Sequence, residues 1–92
     1  MATYEALSLN QNSWLETSTG RRYEVEAYCG HQHKTPQQAW NCARKQWAGT
    51  TYGINNGIER NDGERMVEVL EGIWVTEAQA AEYRAKEQEE FY

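Results

Sequence analysis

Cys29, His31, His33 and Cys42 crowd into one short stretch, and they are the residues here whose types and spacing could do chemistry. Two thiols and two imidazoles make a complete tetrahedral donor set for zinc. The pattern C-x-H-x-H-x8-C departs from the common finger spacings, which place ligands in close pairs. If residues 29–33 stay extended, Cys29, His31 and His33 project to one side, and Cys42 must reach them from a helix. Because the spacing is irregular, the expectation is a chain that needs no cofactor, its reduced cysteines acting as small hydrophobes beside two loop histidines. Zinc at these four residues is the alternative, and a Cys29–Cys42 disulfide is a third. Cys-His catalysis would also need an oriented base and a cleft, and the sequence signals neither.

The elements that must position these residues lie in the same region. Residues 21–28 alternate with the period of a half-buried strand, Tyr23, Val25 and Ala27 on one side and Glu24, Glu26 and Tyr28 on the other. Cys29-Gly30 ends that run. Thr35-Pro36-Gln37-Gln38 reads as a helix start, with a capping hydroxyl, proline at the first helical position and a glutamine completing a capping box. Pro36, Ala39, Trp40, Ala43 and Trp47 then share one face at helical spacing, so strand and helix are expected to pack through Val25, Ala27, Trp40 and Trp47.

Elsewhere the reading is coarser. Residues 4–9 form a possible strand, 10–13 a loop, and 14–17 a short extended piece that turns at 18–20 into the strand at 21–28. Residues 48–57 hold three glycines and two asparagines without periodicity and read as a mobile surface loop. Residues 58–60 and 65–70 flank Asn61-Asp62-Gly63, a strong hairpin signal. Ile73-Trp74-Val75 looks buried, and Thr76-Glu77-Ala78-Gln79 opens a second helix with Ala78, Ala81 and Ala85 as its small-residue face. GRRYEVE…TPQQAW and GERMVEV…TEAQAA share a plan, which the same local physics used twice explains without a repeat. The expected fold is α+β: one domain over residues 1–92, ordered hairpin, helix, hairpin, helix, with an antiparallel sheet of about four strands and both helices on one face.

The chain has 92 residues and a net charge of −5. Acids and bases cancel up to residue 67, so the whole excess falls on residues 68–92. Such a surface repels phosphate and disfavours binding of free DNA, whereas a basic partner surface suits it. There is no apolar run long enough for a bilayer, and residues 1–5 do not resemble a signal peptide, so no membrane association and a cytosolic location are expected. Paired carboxylates, a phosphate loop and a nucleophile–base pair are not evident, so the expectation is a protein that is not an enzyme.

In size, acidity and general character the whole chain resembles the small phage-encoded anti-CRISPR proteins that act on type I-F surveillance complexes. The block CGHQHKTPQQAWNC is also similar to short segments of uncharacterised phage proteins. The resemblance implies an inhibitor in the host bacterial cytoplasm that binds a multi-subunit CRISPR ribonucleoprotein stoichiometrically and blocks target DNA binding. Glu82, Glu87, Glu89 and Glu90 would then occupy cationic positions meant for DNA, with Tyr83, Phe91 and Tyr92 as apolar anchors. Arg44 and Lys45, with Lys34, would touch guide RNA. The alternative function is a small zinc-stabilised adaptor binding protein or nucleic acid through residues 29–42.

Overall fold

The structure, a computed structural model, describes residues 1–18 and 20–90, the last four of these by backbone alone. Its elements are β1 (Tyr4–Thr17), β2 (Gly20–Tyr28), α1 (Pro36–Trp47), a 3-10 turn (Thr51–Gly53), β3 (Asn56–Arg60), β4 (Arg65–Leu70), β5 (Ile73–Thr76) and α2 (Glu77–Glu90). The fold is α+β. Its antiparallel sheet has five strands in the order β2-β1-β3-β4-β5, one more than expected. The extra strand is residues 73–76, which pair with β4 through Val67↔Val75 and Glu68↔Trp74. As an edge strand it leaves Ile73 exposed and Trp74 and Val75 half-buried.

β1 is one strand where the sequence suggested two pieces and a loop. It pairs with β2 on one side and β3 on the other. Between Asn10↔Glu24 and Trp14↔Tyr23 it carries an irregularity, and this breaks the period-two pattern at residues 11–13. The hairpin between β3 and β4 forms as its Asn-Asp-Gly turn predicts, with Gly63 at φ 89° and the Gly63 N–H donating to the Arg60 carbonyl at 2.9 Å. Glu59 and Arg65 face each other across it and form an ion pair at 3.3 Å.

β2 and β3 are both antiparallel to β1, so they run parallel to each other, and α1 is the crossover joining them over β1. The helix accordingly lies against β1 and β3. Of the expected strand–helix contacts, Ala27, Trp40 and Trp47 are in or against the buried cluster and Val25 is not. The buried cluster is Ala6, Cys29, Ala39, Ala43, Trp47 and Ile58, with Tyr4, Ala27, Trp40, Cys42, Met66 and Trp74 around it. Alanines at 6, 39 and 43 let the helix backbone come close to the sheet, and Trp47 fills the far end. Trp40 and Trp74 meet with ring centroids 5.8 Å apart, and the Trp74 indole N–H donates to Gln37 Oε1 at 3.0 Å.

Residues 48–57 are more ordered than a mobile loop. They contain the 3-10 turn and the start of β3. The Ser8 hydroxyl, 1% exposed, and the Asn56 amide both donate to the Tyr52 carbonyl at 2.9 and 2.8 Å. A Cβ added at Gly53 would collide with the Trp47 carbonyl oxygen, so only glycine lets the turn sit this close to the end of α1.

α2 opens with a reciprocal capping box: Thr76 Oγ1 accepts from the Gln79 N–H at 3.3 Å, and Gln79 Oε1 accepts from the Thr76 N–H at 3.0 Å. It rests on β4 and β5 through Ala80, which is 2% exposed. Ala78, Ala81 and Ala85 face solvent, which corrects the expected small-residue face. Among the described residues, the helical members of the buried cluster all come from α1. No helix among them is long and apolar enough to cross a membrane.

Candidate metal centre

The segment after β2 keeps following β1 before it turns into α1. The Cys29 N–H donates to the Ala6 carbonyl at 3.0 Å, and four residues later Tyr4 and His33 exchange backbone bonds at 2.9 and 2.8 Å. Residues 30–32 therefore bow outward between two anchored points. The bow is held by the Gly30 N–H donating to Glu5 Oε2 at 3.0 Å and by the Thr3 hydroxyl donating to Gln32 Oε1 at 2.7 Å. Thr35 then caps α1, its Oγ1 accepting from the Gln38 N–H at 3.2 Å. The glutamine half of this box reaches one residue further back than expected, to the Lys34 N–H at 3.1 Å.

These anchors bring the four residues together. One ligand atom each from Cys29, His31, His33 and Cys42 falls within 4.8 Å of every other. Cys29 Sγ lies 3.8 Å from His33 Nε2, and Cys42 Sγ lies 3.5 Å from His31 Nδ1. In a tetrahedral zinc site, bonds of about 2.0–2.3 Å place ligand atoms roughly 3.3–3.8 Å apart. The two sulfur–nitrogen edges already meet that requirement. The longest edge needs to close by about 1 Å, within the reach of a side-chain rotation. The donor set, its number and its separations fit a tetrahedral metal ion.

The surroundings supply what such a ligand set needs. Cys29 is 5% exposed, and its sulfur accepts the Ala6 backbone N–H at 3.4 Å. A backbone N–H aimed at sulfur is the kind of outer contact that orients a metal ligand. Cys42 is half-buried on α1, and its thiol is pushed above the usual range, first by burial and then by Cys29 beside it. Without a cation the Cys42 thiol holds its proton more firmly, and a divalent cation can replace it. The same upward push is the reverse of what activates a cysteine nucleophile, so the Cys–His contacts read as ligand geometry. Both cysteines are free, and no disulfide joins them.

Of the other predicted site residues, Lys45 borders this cluster and the rest of those described lie apart from it. Arg44 and Lys45 are exposed on α1. Glu82 and Tyr83 are on α2, lining a hollow with Val75, Gln79 and Lys86. The side chains of Glu87, Glu89 and Glu90, and Phe91 and Tyr92 altogether, fall outside the described residues. Sequence reasoning missed the Ala6 N–H, which no motif signals because it is backbone. It also missed a row of carboxamides, Gln38, Asn41 and Gln46, that shares a surface hollow with His31, His33, Cys42 and Lys45. Its available signal was the lack of any acid in residues 27–58.

No protein-family model, curated protein or solved structure matches the chain.

Proposed function

We propose that this chain is a non-catalytic binding protein whose strand–helix junction is closed by zinc, bound through Cys29, His31, His33 and Cys42. The observation that carries this reading is the convergence of four ligand atoms within 4.8 Å from three separately anchored pieces of backbone. A two-sulfur, two-nitrogen tetrahedral set suits zinc over the harder divalent ions. The core of so short a chain is modest, and the buried cluster rests largely on alanines. A structural zinc contributes on the order of 10 kcal/mol to such a fold. Its position explains why both the loop after β2 and the second turn of α1 carry cysteine. The test is metal analysis of purified protein together with melting in chelator. One zinc per chain and a large loss of structure on chelation support the proposal, and metal-free protein with an unchanged melt sinks it.

A second reading concerns the partner, and a separate observation favours it. The charge excess is concentrated on residues 68–92, where Glu82 and Tyr83 are exposed on α2. With the resemblance to type I-F anti-CRISPR proteins, this supports an inhibitor acting in the host bacterial cytoplasm. It would seat carboxylates on the Lys and Arg side chains that a CRISPR ribonucleoprotein keeps for DNA. Zinc would hold the scaffold and α2 would make the contact, so the two readings are compatible. Co-elution with a purified type I-F complex, followed by a target DNA binding assay, tests it. Failure to co-elute at micromolar protein removes this partner and leaves the metal centre standing.

A further inference from the structure

All 14 carboxylic residues lie outside residues 27–58, and that stretch carries Lys34, Arg44 and Lys45. An acidic protein has thus kept this stretch of chain free of acids of its own. The ion pairs among the described residues are Arg21–Glu16, Arg60–Asp62 and Arg65–Glu59, and none of them involves Lys34, Arg44 or Lys45. Glu5, from β1, reaches the edge of the loop, where its Oε2 accepts from the Gly30 N–H. The solvent side of α1 presents Gln38, Asn41, Lys45 and Gln46 beside the exposed His31 ring, with Arg44 on the flank.

From this we infer that the outer face of α1 and the loop carrying His31 form a binding surface for single-stranded RNA. The inference rests on the zinc reading, because the metal would fix the loop against the helix.

Three features favour this occupant. An acidic protein partner would be held by an apolar centre within a polar rim. α1 exposes no large hydrophobic side chain to anchor such a partner. Nucleic-acid interfaces are instead polar and cationic. A rigid duplex is the poorer fit, since α1 spans only about 18 Å at 1.5 Å per residue. The molecule measures 42 × 31 × 25 Å, so a duplex would run on past this face beside the acidic remainder. A single strand can bend to stay on the patch. The oxygens of Gln38, Asn41 and Gln46 already accept from the Lys34 N–H, the Gln37 amide and the Cys42 thiol, so it is their NH2 groups that would donate to base edges and to the ribose 2′-hydroxyl. An exposed imidazole gives a base something to stack on.

The experiment is fluorescence anisotropy of a labelled oligoadenylate RNA with zinc-loaded protein, the zinc content being measured separately. The expected result is a dissociation constant near the micromolar range at low salt, as is common for non-specific binding. Its logarithm should change with that of salt with a slope of about 1.4–2.1 in magnitude, as two or three phosphate contacts give on a single strand. The double variant Lys34→Glu/Lys45→Glu should keep its zinc and its melting temperature while binding at least about 10-fold more weakly. The inference is overturned if zinc-loaded protein does not bind, if the double variant binds equally well, or if DNA of the same sequence binds as tightly. Capture of polyglutamate in place of RNA would overturn it in favour of an acidic protein partner. A protein without zinc would instead undercut the metal centre, a failure that the separate zinc measurement identifies.

Discussion

The backbone N–H of Ala6 donates to the sulfur of Cys29 at 3.4 Å, so the middle of β1 and the first ligand of the cluster are joined directly. The two cysteines are therefore unequal even before any metal binds. Cys29→Ala should leave a buried donor unpaired, at a cost of about 1–3 kcal/mol to the metal-free chain. Cys42→Ala, at the half-exposed edge of the buried cluster, leaves no buried donor unpaired and should cost less, about 1 kcal/mol. Denaturant unfolding of both variants in chelator measures the difference. Equal losses would show that the Ala6 contact carries no weight, while both variants should lose stoichiometric zinc.

Cys42 titrates above the ordinary thiol range because burial and Cys29 both disfavour its thiolate. A group whose folded pKa lies above its unfolded one contributes stability that is fully present below the unfolded pKa. That contribution is lost as pH rises through the folded value. The metal-free chain should therefore lose stability on the alkaline side, starting at the ordinary thiol range. Melting temperature against pH, for the native chain and for Cys42→Ser, checks this: the serine variant should show a flatter alkaline limb. Zinc should bind more tightly over the same rise, since fewer protons must be displaced.

The two capping threonines should behave differently. Thr76→Ala removes half of a reciprocal box and should destabilise the chain by about 0.5–2 kcal/mol. Thr35→Ala should cost a similar amount and should also weaken zinc binding, because frayed first turns of α1 no longer hold Cys42 in place. Zinc titration of the two variants separates the effects. A loss of affinity at Thr76 as large as that at Thr35 would contradict the coupling.

Gly53→Ala is a sharper steric test. The added Cβ meets the Trp47 carbonyl oxygen, which already accepts from the Thr50 N–H and hydroxyl at 3.1 and 2.8 Å. The backbone has to shift, at about 1–3 kcal/mol for overpacking of this kind. Unfolding in urea should show the loss, and Gly30→Ala supplies a control of a different kind. There the space is open, and the strain comes from φ 79° alone.

If α2 is the contact surface for a CRISPR ribonucleoprotein, reversing Glu82, Glu87, Glu89 and Glu90 to Lys should slow association and change its salt dependence. Stopped-flow association at two ionic strengths reads this out. An unchanged rate would leave α2 as solvated surface.

Much of this architecture can be read from the sequence wherever a local rule operates without interruption. The alternation at 21–28, the caps at Thr35 and Thr76 and the turn at 61–63 are such places. Legibility fails where long-range pairing overrides local pattern. β1 hides its length because the irregularity after Asn10 breaks its period. Asn56 and Gly57 read as loop, yet they pair with Ser8 and Leu7. Ala80 is buried in place of its neighbours because the sheet, not the alanine spacing, chooses which side of α2 faces inward. The four metal-ligand candidates were visible as residue types. Their convergence was not, because it depends on the Tyr4–His33 pairing, which no spacing rule encodes.

That β1 pairs with β3 has a consequence for how the chain is made. Ala6 lies opposite Ile58, and Leu7 opposite Gly57, so the centre of the sheet waits on residues made roughly fifty positions later. A ribosome adding about 5–20 residues per second leaves β1 with its second edge open for several seconds. In that interval β2 is the partner within reach, and the early hairpin must stay soluble on the strength of Arg21, Arg22, Glu24 and Glu26 along its outer strand.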